Sequence, residues 1–157
     1  MGNTHVSASK VSSPQQGLPV PAEPRGELAA RHLAMPAHTN PAGDIFGGWI
    51  MASMDEAAAM AVAKLIEGRA VTVAVSGMVF IQPVKVGDSV CFYADVKRLG
   101  RTSITLDVGV WVLRRGCGER IKVTEAEFTF VAVDEDGRPR VIAPPQSGAL
   151  QAATGAV

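Results

Sequence analysis

The sequence predicts an α+β fold in which a curled five-stranded antiparallel sheet encloses one long helix. Two observations predict it. Residues 47–67 (GGWIMASMDEAAAMAVAKLIE) form a single Ala- and Met-rich run with no proline. The later runs are β-branched or alternate apolar with polar residues, and short links of turn-forming residues join them. With a further strand ahead of the helix, the order is strand, helix, then four strands, and the strands are left to curl around the helix.

Residues 28–35 (LAARHLAM) are the expected first strand. The helix over 47–67 would extend about 31 Å at the usual rise and stop at Gly68. Ser53, Glu56, Lys64 and Glu67 form one narrow wet stripe on it, and nearly every other position is apolar, so the helix is expected to be wrapped rather than docked by one face.

Residues 71–80 (VTVAVSGMVF) are β-branched and apolar. In 89–99, Val90, Phe92, Ala94 and Val96 share one face, and Cys91, Tyr93, Asp95 and Lys97 the other. In 103–113, Ile104, Leu106, Val108, Val110 and Val112 point one way while Thr105 and Asp107 point the other. Residues 121–133 carry Ala126, Phe128 and Phe130 inward, and Glu125, Glu127 and Thr129 outward, so one sheet face is expected to be wet. The breaks at 82–88, 99–102, 114–120 and 134–139 have turn chemistry, and the first three, as consecutive short links, predict an antiparallel meander.

A chain of 157 residues supports one domain, here 27–144, between tails over 1–26 and 145–157 that read as disordered. Fifteen basic and fifteen acidic residues cancel, so no overall field draws the chain to nucleic acid or to an anionic membrane. Cys91 and Cys117 have neither disulfide-framework nor zinc spacing, and a reducing compartment fits best. The first 26 residues lack the apolar core of a secretory leader, and Val6 stands where a myristoylation signal needs Ser or Thr. The richest apolar run carries Asp55, Glu56 and Lys64, so no membrane span is expected. A cytoplasmic protein is the resulting expectation.

The stretch TNPAGDIFGGWIM, residues 39–51, carries the strongest chemical signal. Asp44 precedes the helix, where a carboxylate either caps the first free amides or acts as a general base. Gly47 and Gly48 occupy the first turn, whose exposed N–H groups suit an oxyanion and whose missing side chains admit a ligand. Asp55 lies two turns further on, either tying down a loop through hydrogen bonds or serving as a second active-site acid. His32 and His38 receive no role, and Trp49 and Trp111 are read as packing residues.

TNPAGDIFGGWIM followed by Met54 and Asp55, then VTVAVSGMVFIQPVKVGDSV, LGRTSITLDVGVWV and TEAEFTFVAVDEDGRPR, resembles the hotdog-fold acyl-CoA thioesterases over residues 28–144. The YciA-like and cytosolic acyl-CoA hydrolase branch is the most similar. The resemblance implies a five-stranded sheet wrapped around one helix, homodimers with continuous sheets, and often trimers of dimers. It implies that Asp44 activates water or attacks the thioester, that amides near Gly47 and Gly48 polarise the thioester oxygen, and that Asp55 is supplied across the dimer interface. Coenzyme A is part of the substrate, so neither a separate cofactor nor a metal is expected.

Its phosphates need cations, and Lys97, Arg98 and Arg101 with the hydroxyls of Thr102 and Ser103 cluster around one turn. Two departures are visible: Phe46 stands where many hotdog enzymes have histidine, and Ala74 and Ser76 stand where relatives carry a basic and an acidic residue. A hotdog hydratase or dehydratase would pair a histidine with the acid, and the helix-start motif contains none. A non-catalytic acyl-CoA sensor would need an output module, which the first 26 residues cannot form.

Overall fold

The structure, a computed structural model, describes residues 23–114, 116, 118 and 120–143. The expected disordered tails lie outside these residues except for 23–26, as does Cys117. Strand β1 (Glu27–Leu33) leads through a short 3-10 turn (Pro36–His38) to helix α1 (Gly47–Ala63), followed by β2 (Arg69–Phe80), β3 (Ser89–Leu99), β4 (Ser103–Leu113) and β5 (Arg120–Val133). The five strands form one antiparallel sheet in the order β1-β3-β4-β5-β2.

The expected meander therefore holds from β3 to β5 only. Strand β2 pairs with β5 rather than β3, and the link over 82–88 is a crossing, not a hairpin. Its Val84 and Asp88 are buried, and the Val84 carbonyl accepts the Ile45 N–H at 3.0 Å. A link tied to the helix entry in this way cannot fold β2 back onto β3.

Alternation works as expected in β4 and in the first half of β3, where Val90, Phe92, Leu106, Val108 and Val110 are buried against the helix. Val96, expected on the same inward face, is instead exposed, next to an irregularity in the β3–β4 pairing. Helix α1 presents Ile50, Met54, Ala57, Ala58, Ala61 and Val62 to them, at the three- and four-residue spacing of a helical face. It ends at Ala63, four residues earlier than expected. The N–H of Lys64 bonds the Ala61 carbonyl and that of Leu65 bonds Val62, so three-residue spacing tightens the chain and it turns before Gly68 (φ 83°).

The wet stripe holds for Glu56, Lys64 and Glu67, which are exposed, and is corrected at Ser53. Ser53 is only 4 % exposed, and its hydroxyl has a half-buried partner, His32 Nδ1 at 3.3 Å. The open face is wider than that stripe, carrying Met51, Ala52, Asp55, Ala59 and Met60 as well, so a single chain covers the helix on one side only. Beside that face, β2 forms a sheet edge with Val71, Val73, Val75, Val79 and Phe80 all exposed.

The outer sheet face is wet in part. Asp95, Asp107 and Glu127 lie opposite one another across β3, β4 and β5, with Lys97 and Arg25 between the charges. Further along, Cys91, Tyr93 and Trp111 are buried on that same face, and Arg120 lies 5.9 Å from the centre of the Tyr93 ring.

Candidate active site

The helix entry is built from a tight polar loop. Asn40 accepts the Ala42 and Asp44 N–H groups on its side-chain oxygen, at 2.9 and 3.1 Å, and its own N–H bonds the Asp44 carbonyl at 2.7 Å. Gly43 (φ 84°) makes the reversal that an L side chain would strain. This loop sets the direction in which Asp44 leaves the backbone.

Asp44 does not cap α1. The N-cap is Phe46, which makes no side-chain cap bond, and its extended ψ of 131° places a residue pair between the carboxylate and the first turn. The Ile45 and Phe46 amides are occupied by Val84 and His38 carbonyls. Among the described residues, the Gly47 and Gly48 N–H groups have no acceptor in the protein. Two donors at the positive end of the helix are thus left for a ligand oxygen.

A pocket of about 310 Å³ opens at this point, lined by Asp44 and Gly47 together with Ile45, Ile50, Phe80, Ile81, Val84 and Val123. Its wall is largely made of apolar side chains, joined by Gln82 and by the acid Asp44. The Phe80 ring packs so closely on Gly47 that an added Cβ would lie 3.3 Å from it. The carboxylate of Asp44 forms an ion pair with Lys85 Nζ, the two side chains being 31 % and 51 % exposed. An acid, the free Gly47 amide and a largely apolar slot meet here, with the free Gly48 amide next in the chain, which is equipment suited to adding water to an acyl carbonyl.

Lys85, Asp88, Arg114 and Asn40 were not singled out from the sequence. The motif QPVKVGD reads locally as a turn, and nothing in it announces that Lys85 reaches Asp44 from forty-one positions away.

The remaining sequence-selected residues are placed elsewhere. Asp55 is exposed on α1, about 10 Å along the helix from Gly48, and accepts the Thr72 hydroxyl at 2.6 Å. It does not line the Asp44 pocket of its own chain. Lys97 lies on the outer sheet face, 3.2 Å from Asp107 and 3.6 Å from Glu127. Its hydrogen bond to Asp107, then the Coulombic attraction of that carboxylate, raises its pKa above the ordinary lysine value. Arg98, Arg101, Thr102 and Ser103 surround the β3–β4 turn, where Gly100 N–H bonds the Ser103 carbonyl at 2.7 Å. Ser103 pairs with Val131, whereas the pocket holds Val123, so the turn and the acid are roughly 26 Å apart along β5 in one chain. His38 stacks on Trp49 at 4.6 Å, and His32 packs against Trp49 and Phe92; both brace the helix start.

Residues 42–119 match the family described as the Thioesterase superfamily. The acyl-CoA thioester hydrolase YciA of Salmonella typhimurium is 52% identical over 120 residues, covering 74% of this chain and 90% of that protein. Among solved structures, HI0827, a hexameric broad specificity acyl-coenzyme A thioesterase, aligns with a TM-score of 0.76 and 48% identity over 83% of this chain and 90% of its own. The hexameric thioesterase y2039 from Yersinia pestis aligns with a TM-score of 0.73 and 50% identity over 77% of this chain and 98% of its own. With about half of its residues shared along nearly the full length of these proteins, and with the same helix-and-sheet frame, the chain belongs to the hotdog-fold thioesterase superfamily, in the YciA acyl-CoA thioester hydrolase branch.

Proposed function

We propose that this chain hydrolyses acyl-CoA thioesters to free coenzyme A and a carboxylic acid, with Asp44 directing the water. The observation that carries the reading is the sharing of one apolar pocket by Asp44 and Gly47, beside amides with no acceptor of their own. Water on the carboxylate attacks the carbonyl carbon and gives up its proton to Asp44. The carbonyl oxygen takes the negative charge and is held by the Gly47 and Gly48 N–H groups. Collapse of the adduct breaks the carbon–sulfur bond, and the departing thiolate takes up the proton. A thiolate leaves readily, so the reaction does not require an imidazole at Phe46.

We further propose a homodimer paired through the β2 edge, assembled as a trimer of dimers. The edge position of β2, its exposed valines and the uncovered Met51 and Met60 support this reading. Two-fold pairing reverses the partner's sheet, bringing Asp55 and the β3–β4 turn of the partner subunit toward this chain's Asp44. Arg98, Arg101, Thr102 and Ser103 then hold the coenzyme A phosphates, and the proposed compartment is the cytoplasm. No helix among the described residues is long and apolar enough to cross a membrane.

The test is thiol release from a panel of acyl-CoAs of increasing chain length, followed with a thiol reagent. Asp44→Ala should lower kcat on the best substrate by roughly 100-fold or more while the circular dichroism spectrum is retained. Equal rates for the variant and the wild type would remove Asp44 from the mechanism.

A further inference from the structure

We propose that Lys85 is a positioning residue for Asp44: its ammonium holds the carboxylate at the pocket rim in the orientation that water activation needs. The proposal rests on the thioester-hydrolysis reading above and adds a residue to it.

Three backbone ties support the assignment. The Ile45 N–H bonds the Val84 carbonyl at 3.0 Å, so the residues next to Asp44 and Lys85 are joined directly. The Lys85 N–H donates to the Asp88 carboxylate at 2.9 Å, and the Asp88 N–H returns a bond to the Lys85 carbonyl at 3.1 Å. Gly87 N–H bonds the Ala34 carbonyl at 2.8 Å. The stem of Lys85 is therefore held on both sides before its side chain makes any contact.

A solvated surface ion pair contributes little, because two long side chains must be ordered for a weak attraction. Here Asp44 has a short side chain and the backbone of Lys85 is already fixed, so less freedom is lost. The pocket is walled by Ile45, Ile50, Phe80, Val84 and Val123. An acyl group entering it displaces water, and the attraction between the two charges strengthens as the local dielectric falls. Lys85 then keeps the Asp44 carboxylate aimed when solvent no longer does so.

The experiment measures kcat and KM for thiol release from the best acyl-CoA of the panel, in Lys85→Met, Lys85→Arg, Asp44→Asn and the double variant Lys85→Met/Asp44→Asn. Lys85→Met should lower kcat roughly 10- to 100-fold, in the range that misplacing a catalytic group produces, while KM stays within about two-fold. Lys85→Arg should recover most of the loss. In the Asp44→Asn background, Lys85→Met should change nothing further, since the carboxylate that it orients is gone. Wild-type kcat in Lys85→Met, a loss confined to KM, no recovery in Lys85→Arg, or an equal loss in the Asp44→Asn background would each overturn the proposal. An Asp44→Asn variant as fast as wild type would instead overturn the reading on which it rests.

Discussion

The guanidinium of Arg114 grips the carboxylate of Asp88 with two bonds, from Nε at 3.1 Å and from a terminal nitrogen at 2.9 Å. The same Arg114 also donates to the Pro83 carbonyl at 3.0 Å, so one side chain clamps both ends of the link between β2 and β3. Asp88 is 2 % exposed, and removing it would take away the acceptor of two Arg114 bonds and of the Lys85 N–H, loosening the link. Asp88→Ala should cost about 1–3 kcal/mol of stability, the scale of lost hydrogen bonds to a charged group. Urea unfolding followed by circular dichroism measures it, and a loss below about 1 kcal/mol would mean that Arg114 does not brace the link.

Gly48 separates stability from turnover. A Cβ added there meets no atom within 4 Å, and alanine favours a helix over glycine by up to about 1 kcal/mol. Gly48→Ala should therefore melt at the same temperature as wild type or higher. Its kcat should nevertheless fall roughly ten-fold, because the methyl group occupies the approach to a first-turn amide proposed to hold the oxyanion. Unchanged kcat with raised stability would show that the thioester oxygen does not use that amide.

Cations at the β3–β4 turn differ in availability. Lys97 is tied to Asp107 and Glu127, whereas Arg98 and Arg101 form no ion pair among the described residues. Arg98→Ala and Arg101→Ala should each raise KM for an acyl-CoA by roughly ten-fold, the scale of a lost charged hydrogen bond. The corresponding acyl-N-acetylcysteamine thioester lacks phosphates, and its KM should not move. Lys97→Ala should leave both KM values near wild type. Because the folded-state pKa of Lys97 is raised above 10.5, its pairing contributes to stability at neutral pH and is lost as the pH climbs through the raised value. Equal KM changes for all three cations would contradict this division.

The inward and outward faces of β3 and β4 were legible because strand side chains alternate regardless of what they meet. The helix start was legible for a similar reason: two glycines after an acid leave amides exposed whatever the surroundings. Ser53 was misread because a polar residue on an apolar helix is assigned to solvent until a partner is known, and His32 comes from another element. The pairing of β2 with β5 was also hidden. A seven-residue link permits either a hairpin or a crossing, and the Ile45–Val84 bond that decides between them joins residues far apart in sequence.

Residue order alone was sufficient for the apolar helix, the alternating strands and the acid-and-glycine mouth, since each follows from the periodicity or conformational freedom of a few neighbours. Long-range packing chose what Asp44 faces: it set Ile45 and the extended N-cap Phe46 between the acid and the first helical turn, and brought Lys85 to the carboxylate. It also carried Asp55 to Thr72 and the Arg98–Arg101 turn to the far end of the sheet. Those placements depend on bonds between segments from 17 to 41 residues apart, and a local pattern contains no information about which of them form.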